Sequence, residues 1–309
     1  MAAVWTRLNT LLLLLVLLGM IAMFAQRAAG GPLDPPSAPA PTDSVKLPGT
    51  PISQPASAAD FPIVISTPGT YYLTSDIIGV VGKHGIVIAA DYVTLDLMGQ
   101  SVIGGPGVGS GITDEFVSHT DVTVRNGAVR GWTIGVSLQA TGRVILEDLR
   151  VELNQSGVAV GSGGLLSRLV VRENSNGMFI TNHASDFGTQ ISDSNISHNG
   201  SYGIENWANN VWVHDNVIDA NGQDGIRLIG DASWNKVTDN RITGNGGYGV
   251  HINGDFPGDD PNVNLVARNA LLGNVTAAVR DTGAGNRIGT FVGGDASITA
   301  TNPWSNVVY

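Results

Sequence analysis

Residues 203–229 read GIENWANNVWVHDNVIDANGQDGIRLI, and this stretch holds one full repeat of the chain. It opens on Gly-Ile at Gly203, passes through VHDNVIDAN from Val213, and begins again with Gly-Ile at Gly225. The opening phrase is a glycine, an apolar residue, a variable residue and most often a second apolar one. Outward from here it recurs at Gly85, Gly111, Gly135, Gly157, Gly177 and Gly249, at intervals of 20 to 26 residues. The second phrase recurs as VRNGAVRGW from Val124, LEDLRVELN from Leu146, ISDSNISHN from Ile191, VTDNRITGN from Val237 and VARNALLGN from Val266. Self-similarity at such a period denotes a stacked repeat architecture. Both phrases alternate apolar and polar residues with period 2, so each repeat is expected to supply two short strands separated by turns.

A leucine-rich repeat is excluded, because the units lack a Leu lattice and helical periodicity. Units of this length can coil once per repeat and lay each strand on its copy about 4.8 Å away. The expected fold is therefore all-β, a single-stranded right-handed parallel β-helix (a solenoid) of about nine coils over residues 60–309. Asn154, Asn174, Asn199, Asn221, Asn245 and Asn274 end successive phrases, where stacked carboxamides can bond along the ladder. Asp148, Asp193, Asp215 and Asp239 share a second register, placed either to cap turns or to bind a cation. Exposed ends of such a stack need covering. Residues 60–80 are expected at one end, and Gly289 to Tyr309, with Phe291, Trp304 and Tyr309, at the other.

Residues 1–29 differ. Leu11 to Ala25 is an apolar run between Arg7 and Arg27, with small residues Ala28 and Gly30 after it. That pattern suits a secretory signal peptide, or an N-terminal membrane anchor if the segment is retained. Residues 30–59 are rich in Pro, Ala and Ser and read as a disordered linker. The expected location is secreted, periplasmic or cell-surface. No cysteine is present, so no disulfide staples the fold and no lipid-modified cysteine anchors it. A net charge of -10 argues against nucleic acid as a partner, and membrane contact is expected only through the N-terminal segment.

In the glycine phrase the variable residue points outward, so stacking builds a surface column. It runs Ser137, Ala159, Phe179, Glu205, Arg227, His251 and Arg280, and a second column holds Thr181, Trp207, Ile229 and Asn253. Glu205, Arg227 and His251 are the candidate catalytic residues: a carboxylate for proton transfer or cation binding, a guanidinium for a substrate carboxylate, and an acid or base. Phe179, Trp207 and Asn253 are the candidate substrate-binding residues, the aromatic rings suiting sugar faces. An ordinary solvated face with cross-strand ion pairs has the same composition. Asp255, Asp259 and Asp260, in the loop GDFPGDDPN from Gly254, are candidate metal ligands; calcium takes such oxygen donors, and turns are made of the same residues.

The chain resembles the pectate-lyase-like superfamily of β-helix proteins with short parallel-β-helix repeats, from about Phe61 to the C-terminus. FPIVISTPGTYYLTSDI from Phe61 and GIVIAADYVTLDLMGQSVIGG from Gly85 carry that resemblance. Locally, YGIENWANN from Tyr202 is similar to the alginate epimerase segment, with Glu205 at that family's aspartate, Asn206 at its proline and Trp207 at its histidine. Those departures point away from epimerase activity. Polygalacturonase motifs are not found in order. A third resemblance is to NosD-type periplasmic accessory β-helices linked to copper enzymes, set against no Cys, six His and five Met here. The resemblances imply an exported protein that binds extracellular polysaccharide and processes it as a lyase or glycoside hydrolase. The alternatives are a non-enzymatic surface, structural or adhesion protein and a NosD-like accessory protein.

Overall fold

The structure is a computed structural model, and it describes residues 48–105, 107, 109–182, 188–255, 260–292 and 302–308. All belong to one compact unit starting at Pro48. The apolar N-terminal run, the first part of the linker, His183, Asp259 and Tyr309 lie outside the described residues.

The glycine phrase sets the fold because it is where coils approach most closely. A Cβ on Gly157 would lie 2.6 Å from the carbonyl oxygen of Gly177, and one on Gly177 only 2.2 Å from that of Gly203. No side chain fits between stacked backbones there. At each of the eight glycines the chain runs on as a strand, and these eight, with Ile63–Ile65 before them and Ala277–Asp281 after, pair in parallel as one ten-stranded face. The result is a right-handed parallel β-solenoid of about ten turns, the added turn being the strand at Ile63–Ile65.

The second phrase forms two faces. Val122–Arg130 and Ile145–Glu152 are long strands, but later coils divide them, as in Trp212–His214 followed by Val217–Asp219. The expected two strands per repeat thus become three. The division falls at residues with left-handed backbone: Arg168, Asp193, Asp215, Asp239 and Arg268 all have φ between 52 and 60°. Asp tolerates that conformation through its short polar side chain. The aspartate register therefore marks corners.

Every corner carries an asparagine ladder. At the first, Asn174 Nδ2 donates to Asn199 Oδ1 at 3.1 Å, Asn199 to Asn221 at 2.9 Å, Asn221 to Asn245 at 3.0 Å and Asn245 to Asn274 at 2.9 Å. Each Oδ1 also accepts the backbone N–H of the preceding ladder residue, as in Asn174 N to Asn199 Oδ1 at 3.1 Å. The other two ladders run Asn216, Asn240, Asn269, Asn306 and Asn235, Asn264, Asn286. Between the corners lie apolar columns. Val136, Val158, Met178, Ile204, Ile226 and Val250 stack in register with at most 2% exposure. Stacked apolar side chains stabilise each coil only through its neighbours, as in other solenoids.

The solenoid begins earlier than residue 60. Thr50–Ile52 pairs in parallel with Tyr71–Leu73, and a short helix at Ala58–Asp60, capped by Ser57, precedes the buried Phe61. Pro and Ser at the end of the linker stretch are compatible with an edge strand and a cap. At the far end Asn306–Val308 pairs with Ala270–Leu271 and Phe291–Val292.

Charged side chains lace the corner residues. Arg168 reaches Asp148 through two contacts of 2.8 Å, and Arg268 binds Asp239. Hydrogen bonds from Arg168 and Arg268 hold the carboxyls of Asp148 and Asp239 below their ordinary range. A depressed carboxyl stabilises the fold above its unfolded value near pH 4 and loses that contribution as pH falls through the folded value. Asp239→Asn should therefore cost less than about 1 kcal/mol of stability at pH 7, and its difference from wild type in thermal melts should shrink as pH falls below about 4.

Candidate functional site

On the glycine face Phe179, Glu205, Arg227, His251 and Arg280 stand in one column, each opposite the next. The register matches the sequence reading; the surroundings add to it. The residue immediately before each glycine, Tyr202, Asp224 and Tyr248, reaches diagonally to the column residue one coil further on. Arg227 Nη1 donates to the Tyr202 hydroxyl at 2.6 Å, and its guanidinium carbon lies 4.8 Å from that ring's centre. His251 Nδ1 lies 2.9 Å from Asp224 Oδ2. Tyr248 stacks 4.8 Å from the His251 ring and lies 5.6 Å beneath the Arg280 guanidinium. Asp224 is itself fixed, because its Oδ1 accepts the Tyr248 backbone N–H at 2.7 Å.

Two consequences follow for chemistry. His251 is only 6% exposed, and its Nε2, like Arg227 Nε, is buried without a hydrogen-bond partner. Burial pushes the Tyr202 hydroxyl above its ordinary range, while the Arg227 cation pulls it the other way, so it stays protonated at neutral pH. Tyr202, Asp224 and Tyr248 become a set only once the register is known. The sequence signal available for them is their shared place before the glycine.

Beside the column lies an open cleft of about 560 Å³, lined by Phe179, Thr181, Asn182, Trp207, Gly230 and Asp231. Trp207 is 39% exposed and donates from Nε1 to Glu205 Oε1 at 2.9 Å. Its ring lies over Gly230, where φ is +67° and a Cβ would come within 3.1 Å of it. Asn182 holds the adjoining turn, donating to the Trp207 carbonyl and accepting from the Asn209 N–H. The cleft is thus an aromatic platform with a carboxylate on one rim and a cation nearby, a composition suited to saccharides.

The remaining sequence candidates are placed differently. Asn253 is 3% exposed, and its Oδ1 accepts the Asp255 N–H at 3.0 Å, so it shapes a turn below the surface. Asp255 pairs with Arg280 at 2.8 Å, and Asp260 accepts from the Asn262 side chain. Among the described residues no three His, Cys, Asp or Glu side chains come together as a metal would require.

The parallel stacking places the chain in the class of parallel β-solenoid proteins. It belongs to the NosD family, described as periplasmic copper-binding protein (NosD), whose sequence profile matches residues 86–301. The Dettilon tailspike protein gp208 superposes with a TM-score of 0.58 at 13% identity, over 84% of this chain and 60% of that one. The pectate lyase Pel9A superposes with a TM-score of 0.53 at 16% identity, over 76% of this chain and 68% of that one. The periplasmic alginate epimerase AlgG gives 0.48 at 14% identity, over 80% and 70%. The tailspike and pectate lyase likenesses establish the fold, and this chain spans about 60% of the tailspike's length. No curated protein matches.

Among the described residues the histidines do not gather, with one another or with carboxylates, into a group of three that could hold copper. His84 accepts the Ser110 N–H, His119 lies against Asp91, His214 is held between Gln190 and Asp215, and His251 is held by Asp224. Copper needs several imidazole, thiolate or thioether groups converging on one point, and these histidines belong to separate structural contacts.

Proposed function

We propose that this protein is exported and binds extracellular polysaccharide along the face formed by Phe179, Trp207, Glu205 and Arg227. The observation that carries this reading is the aromatic cleft of Phe179 and Trp207 set directly beside the Arg227 row. The family's periplasmic description supports a location outside the cytoplasm. Pectate lyase, as a fold relative, supports the general suitability of such a face for sugar chains.

Processing of the bound chain would draw on the same row. Arg227 would neutralise a substrate carboxylate, His251 would act as acid or base, and Glu205 would take part in proton transfer. Hydrolysis calls for two carboxyl groups free to flank one bond. Glu205 here accepts from Trp207 and Asp224 holds His251, so elimination suits the row better than hydrolysis. His251 lies beneath Tyr248, and substrate would have to displace that ring to reach it.

The test is purified protein against a panel of neutral and acidic polysaccharides, with and without calcium, following binding together with unsaturated and reducing ends. Binding by at least one polysaccharide is expected; binding without products would leave a binding protein and remove the enzyme. Arg227→Ala should weaken that binding about tenfold, the loss typical of a central contact. Unchanged affinity in that variant would move the site off this face.

A further inference from the structure

The same three coils that build the Phe179 and Trp207 cleft carry a second aromatic cleft, of about 300 Å³, on the adjoining side of the corner. Its walls include Gln190, Asn210, Trp212, Trp234 and Lys236. Trp212 and Trp234 are 41% and 59% exposed, large apolar areas left in water on successive coils. Trp212 is not loose. Its Nε1 donates to Thr238 Oγ1 on the next coil at 3.0 Å, and its ring packs 4.0 Å from that of His214. His214 is in turn fixed, Nε2 lying 2.8 Å from Gln190 Nε2 and Nδ1 2.7 Å from Asp215 Oδ2. A ring oriented by three coils is a rigid platform.

Lys236 stands opposite Trp212 in register, exposed, with no ion-pair partner among the described residues. Other described cations, such as Arg227 and Arg241, also lack a carboxylate partner; what distinguishes Lys236 is its place in a cleft lined by two exposed indole rings. An ammonium beside two indole faces presents a charge for a carboxylate and apolar area for pyranose C–H groups. We infer that Trp212, Trp234 and Lys236 form a second saccharide subsite, selective for uronic-acid units. This deepens the polysaccharide reading and rests on it only for the ligand class, because none of its residues belongs to the Arg227 row.

The test uses the full chain and two probes, a hexameric oligogalacturonate and its carboxyl-reduced neutral counterpart, with affinity measured by calorimetry. Trp234→Asn keeps a residue suited to the left-handed backbone at that position (φ 63°) and should weaken both probes about tenfold. Lys236→Met should weaken the acidic probe by a similar factor and leave the neutral one unchanged. Trp212→Phe, which keeps a ring, serves as a folding control and should fall between wild type and Trp234→Asn. Wild-type affinity for both probes in Trp234→Asn would overturn the subsite while leaving the Arg227 face standing. Loss in Trp234→Asn with none in Arg227→Ala would keep the subsite and overturn that face. Failure of the wild-type chain to bind either probe, or equal loss of both in Lys236→Met, would overturn the uronate assignment.

Discussion

Gly177→Ala should cost about 3 kcal/mol, at the upper end of what an added methyl does in a packed interior. The new Cβ would meet the carbonyl oxygen of Gly203 at 2.2 Å, that of Tyr202 at 3.0 Å and the Asn199 carboxamide at 3.1 Å. Two of these atoms belong to the backbone of the next coil, so relief requires the coils to part, which breaks the strand pairing of Asn176–Thr181 with Ile204–Asn206. A chain of this size should melt roughly 6 to 12 °C lower for that loss. Gly82→Ala is the control, since its Cβ meets nothing within 4 Å and only the backbone preference at φ +77° is at stake. If Gly177→Ala melted no lower than that control, the close approach would not be what fixes glycine in the phrase.

Asn199→Ala should cost about 2 to 6 kcal/mol. The Asn199 side chain, 1% exposed, accepts from the Asn174 backbone N–H and donates to the Val171 carbonyl. Removing it leaves the Asn174 N–H buried without a partner, at about 1 to 3 kcal/mol, and takes one bond each from the Val171 carbonyl and the Asn221 carboxamide, at about 0.5 to 1.5 kcal/mol each. Asn199→Asp separates the two halves of that loss. It keeps the acceptor toward Asn174 but loses the donor toward Val171 and Asn221 Oδ1, and buries a charge. Desolvation would raise the folded-state pKa of the introduced carboxyl, so its destabilisation should grow as pH rises through neutrality and shrink in acid. Urea unfolding at pH 4 and pH 8 reads the difference. A variant equally stable at both would mean that the ladder position is open to water.

The repeat, the parallel stacking, the first asparagine ladder and the order of the outward column could all be read from the sequence, because each depends only on spacing and on side-chain alternation. What sequence spacing could not give was depth. Ser137, Ala159 and His251 sit in the outward column yet are 2%, 3% and 6% exposed. For His251 the cover comes from Asp224 and Tyr248, each standing immediately before a phrase glycine. The third strand of each coil was hidden for a related reason. Its boundary is a single left-handed residue, such as Asp193 or Asp215, and no gap in the apolar pattern announces it. The loop from Gly254 shows the limit of composition: Asp255 answers to Arg280, from a strand 25 residues further on.

The three corner ladders also share a sense of direction. In each, the Nδ2 group of one asparagine faces the coil that follows and the Oδ1 group faces the coil before, as from Asn174 to Asn199, from Asn216 to Asn240 and from Asn264 to Asn286. Amides joined head to tail polarise one another, and their dipoles add instead of cancelling. Strand backbones contribute little net dipole, since their peptide units alternate. The asparagines therefore give the solenoid an electrical polarity along its axis, with the partial positive end toward the C-terminal coils.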